Sequence, residues 1–160
     1  MEKIPTIKLT AGATGRVFNL GQLGRPALLV FLWQDSLPQS EVINRAVRDR
    51  YPKASQVLVM NVADLRGIPR LVRGIVENEM RKVFKETAAK LPKGINPVEY
   101  VILLPDWKGE TVKALGLGDV HETPAVAVID GDGNIYGSYQ GENLVEAALE
   151  LLAKVEIPAE

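Results

Sequence analysis

"PALLVFLWQDSLPQS", residues 26–40, decides how the rest of the chain is read. Its first half, Ala27 to Trp33, is an unbroken apolar run, the pattern of a strand covered on both faces. Its second half changes character at once. Ser36-Leu37-Pro38-Gln39 has the Ser-x-x-Gln spacing of a capping box with proline in the first turn. That predicts Ser36 capping a helix while Gln39 reaches back to it. From Pro38 to Arg50, the residues Val42, Ile43, Ala46 and Val47 recur at helical spacing, with arginine and glutamate on the other face. A buried strand running into a helix is the elementary step of an α/β domain.

The same step repeats outward from this stretch. "SQVLVMNVAD" reads as a second buried strand, and Pro69 to Lys90 as the longest helix. In that helix Leu71, Val72, Ile75, Val76, Met80, Val83 and Phe84 form one apolar stripe, flanked by Arg70, Arg73, Glu77, Arg81 and Lys85. Pro92, Gly94 and Pro97 break the chain, "VEYVILLP" supplies a third strand, and "KGETVKALGL" a short helix ending near Gly116. "PAVAVIDGDGNIYGSYQG" predicts two strands around a Gly-Asp-Gly-Asn turn. The last helix, Glu142 to Val155, buries Leu144, Val145, Ala148, Leu149 and Leu152. Upstream, Ile4, Ile7, Leu9, Val17 and Leu20 around Gly12 and Gly15 suggest a short hairpin or a pair of short strands. Strands alternating with helices and closing on a hairpin predict a single domain over residues 1–160, a three-layer α/β/α sandwich on a central mixed sheet.

Composition narrows the chemistry. There is no cysteine among the 160 residues, which removes disulfides, thiolate catalysis, cysteine-ligated zinc and iron–sulfur clusters together. With 19 basic and 20 acidic side chains well mixed, the net charge of −1 gives no footprint for nucleic acid or an anionic membrane. The opening "MEKIPTIKLTAG" lacks the basic and apolar regions of a signal peptide, so the expected compartment is the cytoplasm. The run from Ala27 to Trp33 is too short to span a bilayer.

The order of elements and their punctuation resemble the thioredoxin-like fold, and most nearly the redoxin and TlpA-type thiol–disulfide oxidoreductases. "TGRVFNLGQLGRPALLVFLW" is similar to the family's glycine-marked approach to its first buried strand and Trp33. "ETPAVAVIDGDGNIYGSYQG" is similar to its proline-led hairpin, which makes Thr123-Pro124 the candidate cis peptide bond. The resemblance covers roughly Thr14 to Val155 and implies an N-terminal hairpin extension of the sandwich. Where the family carries W-x-x-x-C-x-x-C, this chain has Leu37 and Ser40 in place of the two cysteines. A serine hydroxyl does not replace a thiolate in disulfide exchange, so the activity does not travel with the fold.

Other motifs resolve into structure. His121 is the only histidine. The resemblance places its loop opposite the first helix start, where a catalytic triad of Ser36 or Ser40 with His121 and Asp35 can be drawn. No G-x-S-x-G elbow supports one, and a lone loop histidine is more simply solvated. One histidine also argues against a metal site. "DGDGN", Asp130 to Asn134, fails as a calcium loop, because Ile135 stands where glycine is needed and Gly141 where a bidentate glutamate is needed. A tight turn explains it. "AGATG" and "GLGD" do not form a phosphate loop. Arg66, Arg70, Arg73, Arg81 and Lys85 interleave with Glu77, Glu79 and Glu86, the pattern of a solvated helix face.

These readings converge on a redox-inactive thioredoxin-like domain with no catalytic residue, metal or cofactor assigned. Its expected role is to hold a protein segment or small ligand in the groove between two loops. One carries Trp33, Asp35, Ser36, Leu37, Gln39 and Ser40; the other carries His121, Thr123 and Pro124. In the family, the backbone just before the cis-proline pairs with an extended substrate, and the resemblance implies that Thr123 does the same here. Two alternatives belong to other classes. One is an enzyme using non-thiol groups, or an accessory partner in thiol redox pathways. It requires His121 within hydrogen-bond reach of Ser36, Ser40 or Asp35. The other is an oligomerising module, which requires an exposed apolar strip around Leu71, Ile75 and Met80.

Overall fold

The computed structural model describes residues 1–159. At its centre is a five-stranded sheet in the order β5-β4-β3-β6-β7. The strands are β3 (Ala27–Phe31), β4 (Leu58–Asp64), β5 (Ile102–Asp106), β6 (Ala125–Ile129) and β7 (Ile135–Gln140). β3 runs parallel to β4 and antiparallel to β6, so the sheet is mixed. β4 and β5 are parallel, and β6 and β7 form the predicted hairpin. Every residue of β3 is buried, as its unbroken apolar run requires. Burying each of Leu28, Leu29 and Phe31 stabilises the fold by about 1.5–3 kcal/mol.

One face of the sheet is covered by α1 (Gln39–Arg50) and α5 (Leu144–Leu152). Leu28, Val30, Val126 and Val128 pack there against Ile43, Val47, Leu144, Ala148 and Leu152. The alternate residues Leu29, Phe31, Ala125 and Ala127 point to the other face, as the period of two demands. That second layer is built from the N-terminal hairpin, β1 (Lys8–Thr10) with β2 (Val17–Asn19), and the short helix α4 (Glu110–Ala114). Ile7, Leu9, Phe18, Leu20 and Val112 supply its apolar side chains.

The long helix is where expectation and structure part. Pro69 precedes a 3-10 turn over Arg70–Val72 that leads into α2 (Arg73–Ala89), and no residue of either is buried. The seven apolar residues do not form one covered stripe. Val72, Val76, Met80 and Phe84, spaced by four, are half-buried on the inner side, while Leu71, Ile75 and Val83 are exposed. Gly12, in the loop between β1 and β2, lies against Met80, whose side chain leaves no room for a Cβ there. The layer that a long helix would have filled is already occupied by the hairpin and α4, so α2 rests on their outside.

A smaller correction concerns the third strand. Val98 to Tyr100 is a helical turn, α3 (Pro97–Tyr100), because the Asn96 side chain accepts from the Val98 N–H at 3.2 Å and Pro97 takes the first helical position. The strand begins only at Ile102. The Asp130–Asn134 turn forms as predicted. Asp130 Oδ1 accepts from the backbone N–H groups of Asp132 and Asn134, at 3.0 and 2.9 Å. Gly133 sits at φ +85°, where a Cβ would meet the backbone of Gly21 at 2.9 Å.

Candidate functional site

β3, β4 and β5 are parallel, so their carboxyl ends lie at one edge of the sheet, and antiparallel β6 begins there. In open α/β sheets this is the edge where ligands bind. The pairing of Phe31 with Ala125 carries the chain just beyond Phe31 toward the chain just before Ala125. Trp33 and His121 meet there. Their rings stack with centroids 3.8 Å apart and planes inclined by 14°. His121 Nε2 lies 2.6 Å from the Asp64 carbonyl at the end of β4. A carbonyl only accepts, so Nε2 carries the proton of that bond. The imidazole thereby joins the ends of three strands.

The loop after Trp33 closes on itself. Ser36 is buried, and its Oγ accepts from the Trp33 N–H at 2.8 Å and donates to the Trp33 carbonyl at 3.1 Å. The Ser36 and Leu37 N–H groups donate to the same carbonyl, each at 2.9 Å. This corrects the expected capping box. Ser36 fastens a 3-10 turn over Gln34–Ser36 rather than the start of α1, and α1 begins after Pro38 with no side-chain cap. Ser36 has spent its hydroxyl on the preceding residue, so Gln39 has nothing to reciprocate. Leu37 projects from this closed turn with 58% of its surface exposed. Ser40 Oγ turns inward instead and donates to Asn61 Oδ1 on β4 at 3.3 Å.

Thr123-Pro124 is trans, as are all peptide bonds among the described residues, so the expected cis bond is not present. Trans is preferred by about 0.5–1 kcal/mol before proline, and the neighbours hold that form. The Thr123 carbonyl accepts from Gln140 Nε2 at 2.9 Å, the Thr123 N–H donates to the Asp119 carbonyl at 3.0 Å, and the Pro124 carbonyl accepts from Gly141. The backbone groups that were to pair with an extended substrate are thus engaged within the chain.

Of the predicted site residues, Trp33 and His121 come together, and Ser36, Leu37 and Ser40 surround the turn beside them. The imagined triad does not assemble: Ser36 is bonded to Trp33, Ser40 to Asn61, and His121 to the Asp64 carbonyl. Asp35 is exposed, and its side chain makes no hydrogen bond or ion pair among the described residues. Sequence reasoning missed the carboxylates at this edge. Buried Asp64 pairs with Arg66, its Oδ2 receiving Arg66 Nη2 at 2.7 Å and its Oδ1 receiving Nε at 3.1 Å. The hydrogen bond, then the charge, of Asp64 raises the Arg66 pKa above its ordinary value. Buried Asp106 accepts from the Glu110 and Thr111 N–H groups and so starts α4. Their signal was an aspartate closing an apolar strand, in "NVAD" and "LLPD".

Among the described residues no cluster of three or more histidine or acidic side chains is placed to hold a metal ion, and no helix is long and apolar enough to cross a membrane. Two open depressions of about 320 Å³ lie at the opposite end of the sheet. One is lined by Lys3, Thr6, Asn19 and Asp132, the other by Arg25, Asp130, Tyr136 and Glu156.

No protein-family model matches the sequence, and no curated protein sequence matches it. Solved structures do match in shape. An exposed lipoprotein thioredoxin of Streptococcus pneumoniae superposes with a TM-score of 0.61 at 18% identity, over 94% of this chain and 100% of that one. A candidate thiol:disulfide interchange protein, DsbE, of Chlorobium tepidum gives 0.60 at 18%, over 96% and 94%. A secreted disulfide oxidoreductase of Mycobacterium tuberculosis gives 0.55 at 14%, over 94% and 96%. The chain has the thioredoxin-like fold of these proteins, and it has it without a cysteine.

Proposed function

We propose that this protein is a non-redox binding domain that captures a protein segment at the sheet edge carrying Trp33, Leu37 and His121. The observation that carries this reading is Leu37. A large apolar side chain stands more than half exposed on a turn that Ser36 locks from below. It adjoins the stacked Trp33 and His121 rings at the edge where this class of fold receives its ligands. A rigid apolar anchor beside an aromatic surface loses little side-chain freedom when a partner covers it. Recognition runs through side chains, because the Thr123 backbone is already bonded to Gln140 and Asp119. Asp35 and Gln39, on either side of Leu37 along the chain, supply the polar rim of this surface.

Selection of random peptides displayed on phage against the purified protein tests the reading. Enriched peptides are expected to bind the wild type and to lose about tenfold or more in affinity on Leu37→Asp and on Trp33→Ala, as central interface anchors do. Absence of enrichment, or peptides indifferent to both substitutions, would refute it.

A further inference from the structure

The two outer strands of the central sheet, β5 and β7, end it in different ways. β5 is closed. The Leu103 carbonyl, on its outer side, accepts from the Gly12 N–H at 3.0 Å. Pro105 faces the same way and has no N–H to offer. β7, by contrast, carries no charge and no proline between Ile135 and Gln140, although these are the residues that commonly blunt an exposed edge. In an antiparallel strand alternate residues turn their backbone groups toward the same neighbour. The Gly141 N–H donates to the Pro124 carbonyl at 3.0 Å, so Gly141, Tyr139 and Gly137 face β6 while Gln140 and Ser138 face outward. No hydrogen bond among the described residues takes up the outward N–H or carbonyl of Ser138 or of Gln140. Ser138 is exposed.

The beginning of this edge already seats an extended segment of the chain itself. The Ile4 N–H donates to the Gly133 carbonyl and the Ile135 N–H to the Glu2 carbonyl, each at 2.8 Å, with Lys3 opposite Asn134 in antiparallel sense. The register shift that skips Tyr136 lies beside this segment, and the register from Gly137 to Gln140 is unbroken.

We infer that residues 138–140 accept an extended segment of another protein as a further strand, antiparallel to β7, with an aromatic or β-branched side chain opposite Tyr139. The backbone groups of Ser138 and Gln140 supply the pairing, and Tyr139 supplies the selection. Tyr139 pairs with Val126, which packs in the layer of α1 and α5, so its ring stands on that face. The Tyr139 hydroxyl accepts from the Asn143 N–H at 3.2 Å, and the ring leaves no room for a Cβ at Gly141, which fixes its position. Toward an added strand Tyr139 is a non-hydrogen-bonded position, where facing side chains approach most closely. A second copy of this chain fits the edge poorly. A two-fold axis at Ser138 would set that copy's Tyr136 opposite Gln140, and its own residues 1–4 run toward the same place.

Fluorescence anisotropy with the full chain tests this, using a short fluorescein-labelled peptide in which valine alternates with threonine between lysine ends. Saturable binding is expected, together with slowed hydrogen exchange at the Ser138 and Gln140 amides of the wild type. Ser138→Pro removes the outer donor and leaves the ladder to β6 intact, so affinity should fall about tenfold or more with unaltered far-ultraviolet circular dichroism. Leu37→Asp, at the Trp33 edge, should leave affinity unchanged. Should Ser138→Pro fail to fold, the exchange pattern of the wild type decides alone. Any of four results overturns the inference. The first is no binding, and the second is equal binding by the N-methylated peptide, which cannot donate. The third is protection that spares Ser138 and Gln140, or affinity that a folded Ser138→Pro keeps or that Leu37→Asp loses. The fourth is a dimer by sedimentation that Ser138→Pro dissociates.

Discussion

Substituting Ser36 by alanine tests the local geometry on which the binding edge rests. In the structure the hydroxyl makes two bonds to one residue, accepting from the Trp33 N–H at 2.8 Å and donating to its carbonyl at 3.1 Å. The carbonyl keeps the Ser36 and Leu37 N–H groups after the substitution, so its loss is small. The Trp33 N–H has no other partner among the described residues, and in a half-buried position it is left unsatisfied. Loss of one made bond and exposure of one orphan donor together predict a cost of about 1–3 kcal/mol. For a domain of this size that lowers the melting temperature by roughly 2–4 °C per kcal/mol. Gln39→Ala is the paired control. Had Ser36 and Gln39 formed a capping box, both substitutions would destabilise; with Ser36 turned back onto Trp33, Gln39→Ala should lie within about 0.5 kcal/mol of wild type. Urea unfolding followed by circular dichroism measures both. Equal destabilisation by the two variants, or no effect of Ser36→Ala, would refute the reasoning.

Three further outcomes follow from the same contacts. A double-mutant cycle of Trp33→Ala and His121→Ala should give a coupling of about 0.5–1.5 kcal/mol from the stacked rings; additivity would show that the stack is not populated in solution. At Asp130, burial raises the carboxyl pKa, but hydrogen bonds from Asn134, Asp132 and Tyr136 outweigh it and hold the pKa below the ordinary value. A depressed folded-state pKa stabilises above the unfolded-state value of about 4 and is lost as pH falls through the folded-state value. The stability gap between wild type and Asp130→Ala should therefore be full at neutral pH and shrink below about pH 4. A gap that grows on acidification would contradict this. Insulin reduction by dithiothreitol should proceed at the same rate with and without the protein, because the chain has no thiol to exchange. Acceleration would show redox chemistry of another kind.

Much of this fold is readable along the chain because its signals are local. The apolar run of β3, the alternation in the hairpin and the glycine–aspartate turn before β7 each predict an element that forms. The long helix shows the limit of that reasoning. Apolar spacing reveals which residues share a face of α2, but not whether a layer is free to receive that face. Here Ile7, Leu9 and Phe18 of the hairpin fill the layer first, and Leu71 and Ile75 remain outside. The site divides in the same way. Trp33, Leu37 and His121 could be named from the resemblance to the thioredoxin-like fold. Their arrangement depends on contacts over 50 or more residues, such as His121 with the Asp64 carbonyl at a separation of 57. The single hydroxyl of Ser36 fitted a helix cap and a backward turn equally well by spacing; only the direction of the chain after Trp33 chooses between them.

The most direct test of the account is an amide and indole chemical-shift titration of the protein with a peptide enriched by selection. The account predicts saturable shifts at the Trp33 indole N–H, Leu37 and His121, and none after Leu37→Asp. Saturable shifts confined to the opposite end of the sheet, around Arg25, Asp130 and Glu156, would contradict it.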